Sequence, residues 1–196
     1  MPSKRTSSNS LPQLIFCTQK AWKTWLAKHH ADAPGIWLQL AKKDSGIPSV
    51  SYAEAVEIAL CFGWIDGQAQ RLDDAYFLQR FTPRKRNSIW SQVNRAKALD
   101  LIDRGLMQPA GLVAIEQAKA NGRWDSAYAG PRSVNVPEDL KAALQERPKA
   151  AAFFATLKGQ NRYAILFRLQ TTKKPETRAA KLRKFVEMLE RGETIY

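Results

Sequence analysis

Residues 61–94 read CFGWIDGQAQRLDDAYFLQRFTPRKRNSIWSQVN, and the fold turns on what this stretch does. Two strand-like runs, Trp64 to Leu72 and Ala75 to Thr82, meet at Asp73-Asp74. Aromatic and β-branched residues on either side of a short polar turn predict an antiparallel hairpin, although Asp-Asp is a weaker turn signal than Asn-Gly. The register stays open. With a three-residue loop, Asp66 stands opposite Thr82 and Gln68 opposite Arg80 on one face, and a slip of one residue moves every pair. Thr82-Pro83 ends the hairpin. After the cations Arg84-Lys85-Arg86, Ser88 or Asn87 is read as the cap of a helix that turns Ile89, Val93 and Ala96 inward and ends near Gly105.

Working outward, Ser51-Tyr52-Ala53-Glu54 has the form of a capping box, in which the Ser hydroxyl takes a free amide and Glu54 reaches back. Tyr52, Ala55, Val56, Ala59 and Leu60 form its apolar stripe, and Gly63 ends it. Upstream, Ile36 to Leu40 predicts a short strand. Thr18 opens a helix to His30 with Trp22, Trp25, Leu26 and His29 on its core face. Downstream, a helix runs from Pro109 to Asn121-Gly122, and the segment from Arg123 to Asn135, with Gly130-Pro131, reads as a linker. Pro137-Glu138-Asp139 opens a helical region punctuated by Pro148 and Gly159, and Pro175-Glu176-Thr177 starts a last helix with Leu182, Phe185, Val186 and Leu189 inward. The expectation is an α+β fold: a small antiparallel sheet packed with helices, followed by a helical C-terminal segment. It divides the chain into a flexible tail over 1–13, an α+β core over 14–125, a linker over 126–136 and a helical segment over 137–196.

The 196 residues are 44% hydrophobic and 25% charged, an ordinary globular balance, but the formal net charge is +13. A field of that sign attracts a small anion, an acidic protein or, through non-specific electrostatics, nucleic acid; its bland reading is solubility. Two cysteines, Cys17 and Cys61, make no disulfide framework. The polar start MPSKRTSSNSLPQ holds no apolar signal core, and no run reaches the roughly eighteen apolar residues of a membrane span, so a cytoplasmic protein is expected. His29 and His30 are adjacent and share no helix face, so neither a metal site nor a cofactor is expected.

Candidate binding chemistry concentrates at Trp64, Asp66, Arg80, Thr82, Arg84, Arg86, Ser88, Trp90, Ser91 and Asn94. If Ser88 caps a helix, its free amides, the hydroxyls of Ser88 and Ser91 and a bidentate arginine together suit a phosphate or carboxylate. The competing reading is a solvated basic turn. Trp64 reads as core, and Trp90 is open between core and stacking platform. Asp66 is expected to pair with Arg80 or Arg84; it is the one acid or base to test if the protein is an enzyme. On this reading Arg84→Ala abolishes ligand binding and barely changes the melting temperature. The basic C-terminal stretch, with Lys173, Lys174, Arg178, Lys181, Arg183, Lys184 and Arg191, offers phosphate-backbone contacts or a solvated face paired with Glu187, Glu190 and Glu193.

Several motifs occur in an order that resembles the bacterial YdeI/OmpD-associated, or bacteriocin-protection, family. They are Trp22-x-x-Trp25-Leu26, Gly35-Ile36-Trp37-Leu38, Tyr52-x-Glu54-Ala55-Val56, Gly63-Trp64-Ile65-Asp66-Gly67, Arg80-Phe81-Thr82-Pro83-Arg84 and Ser88-x-Trp90-Ser91-x-x-Asn94. Gly105-x-Met107-x-Pro109-Ala110-Gly111, Pro137-x-Asp139-Leu140 and Glu176-Thr177-Arg178 complete the set. The stretch Thr171-Thr172-Lys173-Lys174 departs from the family's pattern, lacking an Ala-Lys pair. The resemblance implies, by the family's name, a role in resistance to bacteriocins or cationic antimicrobial peptides and association with an outer-membrane porin. It carries no catalytic residues, and a non-enzymatic binding protein is the first expectation, a nucleic-acid-associated protein or an enzyme on a small anion the alternatives. A basic protein is poorly suited to sequestering cationic peptides directly, so an indirect role is expected.

Overall fold

Ile36, Leu38 and Leu40 are buried, while Trp37, Gln39 and Ala41 between them are partly exposed, the two-residue period of a strand with one face on the core. This strand, β2 (Ile36–Ala41), follows β1 (Gln13–Ile15) and α1 (Gln19–His29). After it come α2 (Tyr52–Cys61), β3 (Trp64–Arg71), β4 (Tyr76–Pro83), α3 (Gln92–Asp103) and α4 (Pro109–Ala120). The computed structural model describes residues 11–43 and 45–196. The tail expected over 1–13 therefore lies outside the described residues as far as position 10, and Gln13 opens β1. The chain divides into two units: one runs to Trp90 and resumes at Asn94–Ser126, the other takes Ser91–Val93 and Ala127–Tyr196.

The first unit is built on a four-stranded sheet in the order β1-β2-β4-β3. The α+β architecture is as expected, but the sheet is mixed: β2, β4 and β3 pair antiparallel, and β1 lies parallel to β2 with Gln13 beside Trp37. Three residues are too few to show a period. What makes β1 a strand is its pairing to β2, begun by the Trp37 amide donating to the Pro12 carbonyl at 2.9 Å.

Near its turn the hairpin has the three-residue-loop register, with Arg71 opposite Phe77 and Ala69 opposite Gln79. Between Asp66 and Ala69 a bulge shifts it by one, so Asp66 faces Phe81 and Ile65 faces Thr82. Gln79, only 4% exposed, fills the irregularity: its side-chain amide donates to the Gly67 carbonyl at 2.9 Å and to that of Gln68 at 3.3 Å. A buried amide must find partners, and here they are the carbonyls that the bulge takes out of the ladder.

On one side of the sheet α1 and α2 dock through tryptophan. Trp22 is fully buried, packs against Phe81 at 5.7 Å and Trp64 at 6.4 Å, and donates its indole N–H to the Ala55 carbonyl at 3.1 Å. The predicted capping box starts α2, with Ser51 and Glu54 bonded reciprocally. Tyr52, counted in its apolar stripe, is instead 45% exposed. His29 is also exposed and lies against Trp25, where the stripe predicted a packed residue; Trp22 and Leu26 alone complete the buried face of α1.

The helix expected to begin at Ser88 begins at Gln92 and buries Ala98 and Leu101; Ile89, Val93 and Ala96 are exposed. Ser88 closes a local turn instead, its hydroxyl accepting from the Lys85 amide at 3.0 Å and its amide donating to the Lys85 carbonyl at 2.8 Å. In α4, Gly111 lies so close to α2 that an added Cβ would meet the Cys61 carbonyl, with the Leu60 carbonyl at 2.9 Å.

The second unit holds α5 (Glu138–Gln145), α6 (Pro148–Thr156), α7 (Gly159–Gln170) and α8 (Pro175–Glu190). Proline stands in the first turn of α6 and α8, the position where a missing amide costs nothing. Leu140, Leu144, Phe154, Ile165, Leu169, Phe185 and Leu189 are among the residues that form its core. No helix among the described residues is long and apolar enough to cross a membrane.

Candidate functional site

The bulge decides the fate of the expected groove. Asp66 lies opposite Phe81, so Arg80, the next residue along β4, projects to the other face of the sheet, opposite Trp37. Asp66 is held by the Tyr52 hydroxyl, which donates to Oδ2 at 2.7 Å, a partner that the sequence does not predict. Thr82 packs its methyl beside Gly35, where a Cβ would stand 2.7 Å from it. Arg86 is exposed, and its carbonyl accepts from the Asn121 side chain at 2.8 Å.

Neither tryptophan offers a stacking face. Trp64 is 1% exposed and donates to the His30 carbonyl at 3.0 Å; Trp90 is 3% exposed, with Trp124 edge-on at 4.9 Å. The Arg84 guanidinium covers the Trp90 ring at 3.7 Å and donates to the Ile89 carbonyl at 3.3 Å, while the Arg84 amide bonds to Gly63 at 2.9 Å. Arg84 thus binds the loop together, and the expectation that its removal spares stability gives way to a structural role. Ser91 is buried and belongs to the second unit, where it bridges to Tyr128; Asn94 is half-buried early in α3. With Ser88 closing a turn, the helix-start argument for an anion at Arg84 loses its helix.

A different cavity carries the features of a binding site. A cleft of ≈ 380 Å³ opens between α1, α2 and the end of α3. Its apolar floor is Ile58, Cys61, Phe62, Leu101 and Leu106, and its rim carries Gln19, Lys20, Lys23, Glu57 and Arg104. The walls are fixed by polar ties as well as packing. Thr18 caps α1 by accepting from the Ala21 amide at 3.2 Å, and Gln19 donates to Glu54 at 2.6 Å. Hydrogen bonds from Ser51, backbone first, hold the Glu54 carboxyl below its ordinary range. Lys97 pairs with Glu57 at 2.7 Å, tying α3 to α2, and Arg104 pairs with Asp100 at 2.8 Å.

Lys20 and Lys23 form no ion pair among the described residues. They stand early in α1, whose first turn holds no acid, although the positive end of a helix dipole favours anions there. Burial pushes the Cys61 thiol up, with nearby Lys23 acting in the opposite sense, so at neutral pH the floor stays an uncharged thiol. The sequence reasoning did not single out this cleft, whose residues come from three separated elements. One signal was present: α1, QKAWKTWLAKH, carries three lysines and no acid. A wider depression of ≈ 550 Å³, lined in part by Phe16, Trp25 and His29, is open to solvent. Among the described residues no group of His, Cys, Asp and Glu is placed to hold a metal ion.

In the second unit, Asp139 and Arg178 form a two-pronged pair, Nε to Oδ2 at 2.7 Å and Nη2 to Oδ1 at 2.9 Å, while Nη1 donates to the Leu169 carbonyl. The guanidinium hydrogen-bonded to Asp139 holds its carboxyl below the usual range, and the carboxylate raises Arg178 in turn. The glutamates expected to neutralise α8 along its own length do so differently: Glu190 pairs with Arg147 of the turn before α6, and Glu193 with Arg191. Lys173, Lys174, Arg183 and Lys184 are exposed and form no ion pair among the described residues.

No curated protein and no solved structure is similar enough to match the chain. Two family models do match. One, described as "Bacteriocin-protection, YdeI or OmpD-Associated", covers residues 133–192 and so takes in the Pro137-x-Asp139-Leu140 and Glu176-Thr177-Arg178 motifs, whose Asp139 and Arg178 meet in the pair above. The other, described as "Domain of unknown function (DUF8412)", covers residues 14–114, the span of the earlier motifs and of the cleft. The chain therefore belongs to the DUF8412 family and carries, in its helical second unit, a domain of the YdeI/OmpD-associated bacteriocin-protection family.

Proposed function

We propose that the protein is a non-enzymatic binding protein that acts in the cytoplasm, contributing indirectly to protection against bacteriocins or antimicrobial peptides by holding an anionic ligand in the cleft beside α1. One observation carries this reading: Lys20 and Lys23, without ion-pair partners among the described residues, overhang an apolar-floored cavity of ≈ 380 Å³, within the range typical of small-molecule sites. The exposed free thiol of Cys17 suits a reducing compartment. The tie between Asp66 and the Tyr52 hydroxyl gives that carboxylate a structural partner and favours binding over acid–base chemistry.

A thermal-shift screen of the full chain against nucleotides, sugar phosphates, carboxylates and short DNA, at low and high salt, tests it. A ligand at a hundred times its Kd stabilises by about 2.7 kcal/mol. The expected result is a salt-tolerant shift with at least one small anionic compound, lost in the Lys20→Glu, Lys23→Glu double variant. Shifts seen only with DNA, only at low salt and unchanged in that variant, refute the cleft reading. They favour a second one, non-specific contact of nucleic acid with the exposed cations Lys173, Lys174, Arg183 and Lys184.

A further inference from the structure

We propose, resting on the binding role of the cleft given above, that its ligand is an amphipathic anion: a carboxylate or phosphate head at Lys20 and Lys23 with an unbranched hydrocarbon tail on the floor. The floor favours such a tail over other classes. A sugar or a nucleobase needs several hydrogen-bonding groups around it, and Ile58, Phe62, Leu101 and Leu106 supply none, while the Cys61 thiol is at most a weak donor. A bare small anion has the opposite mismatch, since it leaves most of ≈ 380 Å³ of apolar-floored space unused.

Charge is placed to match one head. Glu57 is engaged by Lys97 at 2.7 Å and Arg104 by Asp100 at 2.8 Å, so the unbalanced positive charge at the rim is that of Lys20 and Lys23. The two stand three residues apart on α1, on neighbouring positions of one helix face. Unbalanced lysines at the positive end of a helix are unfavourable in the empty protein, and an arriving carboxylate or phosphate relieves that. The thiol of Cys61, kept protonated by burial, puts no charge against the tail.

Titration calorimetry of the full chain with acetate, hexanoate, octanoate and decanoate, and with the matching alkyl phosphates, reads the proposal directly. Affinity is expected to rise about fourfold for each methylene that enters the cleft, then level off once the tail fills it. Lys23→Glu, an exposed rim change, is expected to weaken every member about tenfold and leave the slope intact. In a Cys17→Ser variant, decanoate should shield Cys61 from alkylation and acetate should not. Equal affinity for acetate, inorganic phosphate and decanoate overturns the inference while sparing the anion-binding role. Binding only to phosphatidylglycerol vesicles, with no affinity for the free amphiphiles, also overturns it, and places the anion at a membrane surface. No binding by any member overturns the inference, and the anion-binding role then stands or falls with the nucleotides and sugar phosphates of the thermal-shift screen.

Discussion

Arg178→Lys keeps the charge and discards the geometry of a clamp that holds three helices of the second unit together. Arg178 makes two bonds to Asp139 and one to the Leu169 carbonyl, so it ties the start of α8 to the start of α5 and the end of α7. A lysine can keep one bond to the carboxylate but not the fork. Hydrogen bonds to charged groups contribute about 1.5–3 kcal/mol each when well shielded. The two side chains are 27% and 36% exposed, and solvent screening at that exposure reduces the figure. The loss expected for Arg178→Lys is about 1–2 kcal/mol, which for a unit of this size lowers Tm by roughly 5–15 °C. All six tryptophans lie in the first unit, so fluorescence is blind to the second and far-UV circular dichroism must report it. The effect should also depend on pH. The folded Asp139 carboxyl is depressed, so its contribution is full above the ordinary aspartate value of about 4 and is lost as pH falls through the lower folded value. Wild type and variant should therefore converge in strong acid. A variant that unfolds like wild type at neutral pH, or a gap that widens in acid, refutes the assignment.

Three further outcomes follow from the first unit. Gln79→Leu removes the amide that satisfies the bulge carbonyls and should cost about 1–2 kcal/mol in urea unfolding followed by tryptophan fluorescence; an unchanged midpoint means that solvent already serves those carbonyls. Arg84→Ala strips the cation from Trp90 and the bond to Ile89, a loss of about 2 kcal/mol with altered Trp90 emission, whereas unchanged stability restores Arg84 as a candidate binding residue. Gly111→Ala drives a methyl into the carbonyls at the end of α2 and should cost about 3 kcal/mol or more, seen as loss of soluble folded protein; normal yield and melting would show that the two helices separate easily.

Signals confined to one short segment were legible in the sequence. The Ser51–Glu54 box, the hairpin about Asp73-Asp74 and the proline helix starts at 109 and 175 each depend on neighbours a few residues away. What depended on distant partners was not. The bulge rests on the side chain of Gln79 meeting carbonyls twelve and eleven residues back, and it alone separates Asp66 from Arg80. Strand β1 exists through its pairing to β2. Ser88 had the residue type of a cap, but its hydroxyl found the Lys85 amide first and the helix began four residues later. The cleft draws on three elements and on the absence of acids near Lys20 and Lys23, a pattern visible only once the elements are assembled.

Amide hydrogen exchange of the full chain, with and without saturating decanoate, tests most directly the claim that this protein binds through the cleft. The account predicts slowed exchange in α1, in the last turn of α2 and across residues 101–106, with the rest unchanged. Slowing confined to residues 84–94 or to the second unit, or none anywhere, contradicts it.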